Sequence, residues 1–165
     1  MCENESCIVQ HELHFNTMKK RILIIDDDKL LNKINEKVLI AAGVVNELHI
    51  VLNGQQALDY LENRRSKEYP LPDIIVLDLH MPVMDGFAFI EEFNKLTFPG
   101  KSKIELVVFT SSSSPRDKQR AIAAGIRHYL NKPYLLRGLV DIMMRLNEKP
   151  VGFYANNGVG KISAL

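Results

Sequence analysis

At 165 residues, with 46% hydrophobic and 25% charged side chains, the chain can bury the core of one domain and has the make-up of an ordinary soluble globular protein. A net charge of +1 offers no basic excess for nucleic acid, no apolar run nears the roughly 20 residues of a membrane helix, and no basic stretch followed by an apolar one marks a secretory leader. Cys2 and Cys7, both near the start, make no disulfide framework and fit a reducing, cytosolic setting.

The first segment, MCENESCIVQHELHFNT, is polar and aperiodic, and residues 1–18 read as a loose extension. Cys2, Cys7, His11 and His14 lie too close together, with no intervening loop, for the usual zinc spacings. The folded pattern begins directly after Met18. Lys20–Ile25 is a short apolar run, expected as a first strand and ended by Asp26-Asp27-Asp28. Leu30, Ile34, Val38 and Ala41 then fall at helical spacing over Lys29–Ala42, with Asp28 as the natural N-cap and Gly43 as the stop. Three adjacent carboxylates repel one another, so a positive group is expected nearby.

Glu47–Leu52 reads as a second strand and Gly54–Arg65 as a helix with Ala57, Leu58 and Leu61 on one face. After a loop marked by Pro70 and Pro72, Ile74–Leu77 is an unbroken aliphatic run suited to a strand buried on both faces. Asp78 follows. An unpaired charge is costly inside such a strand, so Asp78 is expected at its C-terminal edge, in the crevice where open α/β sheets hold ligands. Met81-Pro82 and Asp85-Gly86 signal turns, and Phe87–Leu96 is a helix with Phe87, Ile90 and Phe93 inward. Ile104–Phe109 is a fourth strand ending at Thr110. Pro115 opens a helix that Gly125 closes, Arg127–Leu130 is a fifth strand, and Leu135–Leu146 is a last helix. The end, PVGFYANNGVGKISAL, reads as an irregular tail over 150–165. Its Gly158-Val159-Gly160-Lys161 falls short of a P-loop, because Ala155 and Ile162 stand where Gly and Ser or Thr are needed.

Strands and helices alternate five times with no hairpin signal, which argues for a parallel sheet covered by helices on both faces. All strand C-termini then share one edge, which gathers Asp26, Asp27, Asp78, Thr110 and Lys132. Three carboxylates make an oxygen-lined site suited to Mg²⁺. With a lysine and a hydroxyl beside them, they can receive a phosphoryl group, Asp78 serving as nucleophile.

IIDDD (Ile24–Asp28), VLDLHMPVMDG (Val76–Gly86), VFTS (Val108–Ser111) and NKPY (Asn131–Tyr134), in this order and spacing, resemble the receiver domain of two-component response regulators. The resemblance, of a chemotaxis-receiver-like single domain, runs over 19–149. It implies a flavodoxin-like (βα)₅ fold with strand order 2-1-3-4-5, and phosphorelay signalling in which Asp78 takes phosphate from a sensor histidine kinase or histidine phosphotransfer protein. It implies Mg²⁺ held by Asp27 and Asp78 directly, by Asp26 through water, and by the backbone carbonyl of His80. Lys132 would pair with the phosphoryl oxygens, with a cis peptide at Pro133. Thr110, with Ser111 beside it, would meet the phosphoryl group, and Tyr129 would turn inwards behind it. His80 and Ser112 occupy positions that tune hydrolysis of the phosphorylated state. Apart from Mg²⁺-dependent phosphorylation and dephosphorylation of itself, no enzyme activity is expected. The chain would be a stand-alone cytoplasmic regulator with no output domain, monomeric or dimerising on phosphorylation, that docks on a downstream protein or passes phosphate on. Two alternatives stand beside this. A haloacid-dehalogenase-type phosphohydrolase would want a second Asp at the position of His80. A degenerate receiver used only for binding would not need the intact Asp26, Asp27, Asp78, Thr110 and Lys132.

Overall fold

The computed structural model describes residues 19–133 and 137–142. The elements in chain order are β1 (Lys20–Ile25), α1 (Lys29–Ala41), β2 (Val45–Val51), α2 (Gly54–Ser66), β3 (Ile74–Leu77), α3 (Gly86–Lys95), a short 3-10 turn (Lys101–Lys103), β4 (Glu105–Thr110), α4 (Pro115–Ala123) and β5 (His128–Asn131). Residues 137–142 are helical and are labelled α5; the rest of the expected last helix, and both flanking segments, lie outside the described residues. The strands form one parallel sheet in the order β2-β1-β3-β4-β5, the flavodoxin-like arrangement that the resemblance implies.

The unbroken apolar runs follow from this architecture. Leu23 and Ile25 of β1, with Ile75 and Leu77 of β3, pack on one side against Ala57 and Leu61 of α2, Phe89 and Phe93 of α3, and Ala121 of α4. Ile22, Ile24, Ile74 and Val76 pack on the other side against Leu39 of α1 and Leu139 and Ile142 of α5. Successive side chains of a strand point to opposite faces, so a strand covered on both faces has no polar position to spare.

Strand ends differ from the expectation by a residue or two, because pairing rather than composition sets them. β2 begins earlier, at Val45, which pairs with Lys20 across a register shift. β4 begins later, since the Ile104 amide closes the 3-10 turn onto the Lys101 carbonyl. β5 extends to Asn131, the ladder partner of Thr110.

In α1 the cap is as expected: Asp28 Oδ1 accepts from the amides of Leu30 and Leu31 at 3.0 and 2.9 Å. Gly43, at φ +68°, takes the left-handed turn that ends the helix. The apolar stripe that marks the helix in the sequence faces outward, however. Leu30, Ile34 and Val38 are 71%, 51% and 39% exposed, while Asn32 and Asn35 are buried with Leu39. The rotation has a local cause. Asn32 Nδ2 donates to the Asp26 carbonyl at 2.7 Å, which pins a polar residue to the inner side of the first turns.

Candidate functional site

The ladder continues one residue past three strands, and it fixes the backbone of the site. The Asp26 amide donates to Val51 O at 3.0 Å, the Asp78 amide to Ile25 O at 2.9 Å, and the Lys132 amide to Thr110 O at 3.0 Å. Each side chain therefore leaves the sheet at the same edge. Asp26, Asp78 and Thr110 are buried there, and Asp27 is exposed at the mouth.

Lys132 Nζ lies 2.8 Å from Asp78 Oδ2 and 2.6 Å from Asp26 Oδ2. The first contact is a well-formed hydrogen bond. The second is an ion pair without hydrogen-bond alignment, so Asp26 Oδ2 is a buried oxygen with a charge beside it and no directed donor. One carboxylate oxygen from each of Asp26, Asp27 and Asp78 falls within a common 4.8 Å. Burial pushes the Asp26 carboxyl above its ordinary range, against the pull of Lys132 and of the Asp28 amide. Burial disfavours the Lys132 ammonium, but the nearby Asp26 and Asp78 carboxylates outweigh that and hold its pKa above the usual value. One lysine thus faces three carboxylates. The surplus negative charge, the undirected Asp26 oxygen and the open side at Asp27 fit a hard divalent cation that keeps some of its waters.

The loop after β3 folds tightly back on Asp78. Asp78 Oδ1 accepts from the Leu79 amide at 2.7 Å, and the Gly86 amide donates to Leu79 O at 3.0 Å. A Cβ on Gly86 would stand 2.3 Å from Asp78 O and 2.8 Å from Leu79 Cα. Only glycine allows this approach. Val83, at φ +71° and 85% exposed, holds the outer bend of the same loop.

Around the rim, Thr110 Oγ1 accepts from the Ser112 amide at 3.2 Å, and the Tyr129 hydroxyl donates to Ser112 O at 3.2 Å. Burial raises the pKa of Tyr129 above that of a free tyrosine. Ser111 is exposed on the same loop. The Lys132–Pro133 peptide is cis. The structure thus brings Asp26, Asp27, Asp78 and Lys132 into one cluster, with Thr110, Ser112 and Tyr129 tied together at its side. Asp117 was not singled out from the sequence. Its Oδ2 accepts from Ser112 Oγ at 2.6 Å and lies 3.2 Å from His80 Nε2. Only its place in the first turn of α4 is visible in sequence, and that reads as an ordinary complement to the helix dipole.

Residues 22–144 match the family model described as the response regulator receiver domain. Among curated proteins, the hybrid signal transduction histidine kinase G of Dictyostelium discoideum is 32% identical over 130 residues, covering 79% of this chain and 4% of that protein. The chain spans less than two-thirds of the curated relatives it first matches, 58% of one mycobacterial regulator at most among the first four. A two-component response regulator from Cytophaga hutchinsonii superimposes with a TM-score of 0.67 at 29% identity, covering 77% of this chain and 98% of that one. The Mn²⁺-bound response regulator Rcp1 gives a TM-score of 0.60 at 27% identity, covering 77% of this chain and 91% of that one.

Proposed function

This chain belongs to the response regulator receiver domain family, and we propose that Asp78 is the residue on which it carries its phosphoryl group. Phosphorelay signalling is the family's work, and the chain's relatives include histidine kinases with a matching segment. The observation that carries the assignment to Asp78 is the hydrogen bond from Lys132 to its carboxylate, within a buried cluster that also holds Asp26 and Asp27.

In this reading a carboxylate oxygen of Asp78 attacks the phosphorus of a phosphohistidine. The phosphorus–nitrogen bond breaks, and its electron pair leaves with the imidazole. Asp26, Asp27 and Asp78, with the backbone carbonyl of His80, would hold Mg²⁺, whose charge offsets that of the phosphoryl oxygens. Lys132 exchanges its bond to Asp78 for one to a phosphoryl oxygen. Thr110 gives up the Ser112 amide to donate its hydroxyl to the same group. Tyr129, bonded to Ser112 O, is released when that loop moves, which biases the face formed by β5 and its neighbouring helices. A phosphohydrolase of the haloacid-dehalogenase type is not favoured, since His80 stands where its second Asp belongs.

The donor is a sensor kinase or phosphotransfer protein that must bring its phosphohistidine to Asp78, and so must cover the surface beside the acidic mouth. The stripe of Leu30, Ile34 and Val38 starts there, next to the Asp28 cap, and offers that protein an apolar footing. The folded unit is assigned to residues 19–149, between the extension over 1–18 and the tail over 150–165. No helix among the described residues is long and apolar enough to cross a membrane.

Incubation with Mg²⁺ and acetyl phosphate should label the protein on Asp78. Equal labelling of Asp78→Asn would remove Asp78 as the acceptor. Magnesium titration separates this reading from a degenerate binding module, which would not take up the ion.

A further inference from the structure

The structure carries a clasp at the entrance to Asp78 that the proposed phosphotransfer does not use. We propose that Asp117 is a positioning residue that prolongs the aspartyl phosphate by holding His80 and Ser112 together. This rests on the reading of Asp78 as the acceptor.

The two loops that flank Asp78 come from paired neighbours, since Leu77 of β3 lies opposite Val108 of β4. His80 belongs to the first loop, and its amide is 3.5 Å from Asp78 Oδ1. Ser112 belongs to the second, and its amide donates to Thr110 Oγ1. Asp117 Oδ2 joins them, at 3.2 Å from His80 Nε2 and 2.6 Å from Ser112 Oγ. The ordinary explanation, a capping carboxylate, does not account for this convergence. The α4 cap is already supplied by Ser114, whose side chain accepts from the Asp117 amide. Both partners meet on one oxygen instead, and the residues it joins are 37 and 5 positions away in the chain.

The anchor is firm. Ala121 seats α4 in the core, Ser112 Oγ also accepts from the Ser114 amide at 3.2 Å, and Ser112 O accepts from Tyr129. His80 is the exposed partner, drawn sideways onto this fixed loop.

Hydrolysis of the aspartyl phosphate needs water on the phosphorus, in line with the bond to Asp78. The water oxygen forms a bond to phosphorus, the bond from phosphorus to the Asp78 oxygen breaks, and its electron pair returns to the carboxylate. Inorganic phosphate leaves, having taken the water's oxygen, with the proton released to phosphate or solvent. In the proposal the water reaches phosphorus between the two loops that flank Asp78. Asp117 holds an imidazole and a hydroxyl across that gap, and it commits the Ser112 proton to a carboxylate rather than to incoming water.

The test is the first-order loss of phosphate from Asp78 after labelling with acetyl phosphate and Mg²⁺ and removal of the donor. Asp117→Ala should lose its label faster by on the order of tenfold, the rate equivalent of one hydrogen bond. Asp117→Ser keeps a polar first-turn side chain, reaches neither partner, and should behave alike if the alanine variant does not fold. Asp117→Asn keeps an oxygen that both donors can reach, and should retain a lifetime close to that of the unaltered protein. In a His80→Ala/Ser112→Ala background, Asp117→Ala should accelerate nothing further, a coupling that general loosening of α4 would not produce. An unchanged or longer lifetime in Asp117→Ala and Asp117→Ser, or equal acceleration in both backgrounds, overturns the clasp while leaving the acceptor in place. Equal labelling of Asp78→Asn would instead strike the acceptor assignment itself.

Discussion

Replacing Gly86 by alanine tests whether the acceptor's backbone is held as tightly as the geometry says. The new Cβ would stand 2.3 Å from Asp78 O and 2.8 Å from Leu79 Cα, both backbone atoms with no side-chain freedom to yield. Ordinary carbon contacts lie near 3.5 Å, so the loop must shift by on the order of 1 Å. Intrinsic preference points the other way, since alanine is favoured over glycine inside a helix by about 1 kcal/mol. Gly86 opens α3, so that gain is at most partial here. Overpacking of this kind costs about 1–3 kcal/mol, and the bond from the Gly86 amide to Leu79 O weakens as well. Gly86→Ala should therefore unfold at lower urea, by about 2 kcal/mol. The same displacement moves Asp78 relative to Lys132, and a misplacement of about 1 Å can lower a rate by up to about 100-fold. Urea unfolding gives the first quantity, and the initial rate of labelling by acetyl phosphate gives the second. A variant as stable as its parent that labels at the same rate would show that the loop accommodates the methyl group, and the argument from close approach would fail.

Other outcomes follow from the same site. Asp26 has its carboxyl pKa raised by burial, so the folded chain holds more protons than the unfolded one between pH 3.8 and the raised value. Stability of the metal-free protein should then fall as pH rises through that window, and Asp26→Asn should abolish the fall and leave the protein more stable than its parent at neutral pH, as urea unfolding at a series of pH values would show. For the same reason protons compete with the ion at Asp26, so Mg²⁺ affinity followed by titration calorimetry should weaken as pH drops towards that raised value; affinity independent of pH, or intact in Asp26→Asn, would remove Asp26 from the ligand set. Val83→Asn places a residue that tolerates φ +71° where a β-branched one is strained, and should raise thermal stability by about 1 kcal/mol without altering Mg²⁺ affinity. Leu30→Glu/Ile34→Glu should slow phosphotransfer from a partner kinase by at least about tenfold while leaving labelling by acetyl phosphate unchanged, and equal loss of both would place the stripe outside the docking surface.

The parts of the molecule that were legible in sequence are those with a local signature. β1 and β3 read clearly because a strand covered on both faces cannot alternate, and Ile22–Ile25 and Ile74–Leu77 do not. Asp26 and Asp78 could be gathered on paper because each follows such a run directly, and Lys132 because it comes just after the fifth strand; parallel topology does the rest. What the sequence hid depends on contacts that the pattern of residue types does not announce. The periodicity of Leu30, Ile34 and Val38 announces a helix but not its rotation, which is set by the bond from Asn32 to the Asp26 carbonyl. The clasp ties His80 to an acid 37 positions away that already had a local explanation. Val83 gave no warning, since valine is among the residues least suited to a positive φ and nothing nearby compensates in sequence.

The outward turn of α1 separates two jobs that most amphipathic helices combine. Its contribution to folding rests on Leu39, on Leu31 packed beside the same core and on the polar pin from Asn32, and the exposed ridge of Leu30, Ile34 and Val38 contributes little to the interior. On the docking role proposed for that ridge, exchanges along it would rewrite which signalling proteins the molecule answers to without disturbing how it folds, and specificity would be open to redesign one residue at a time.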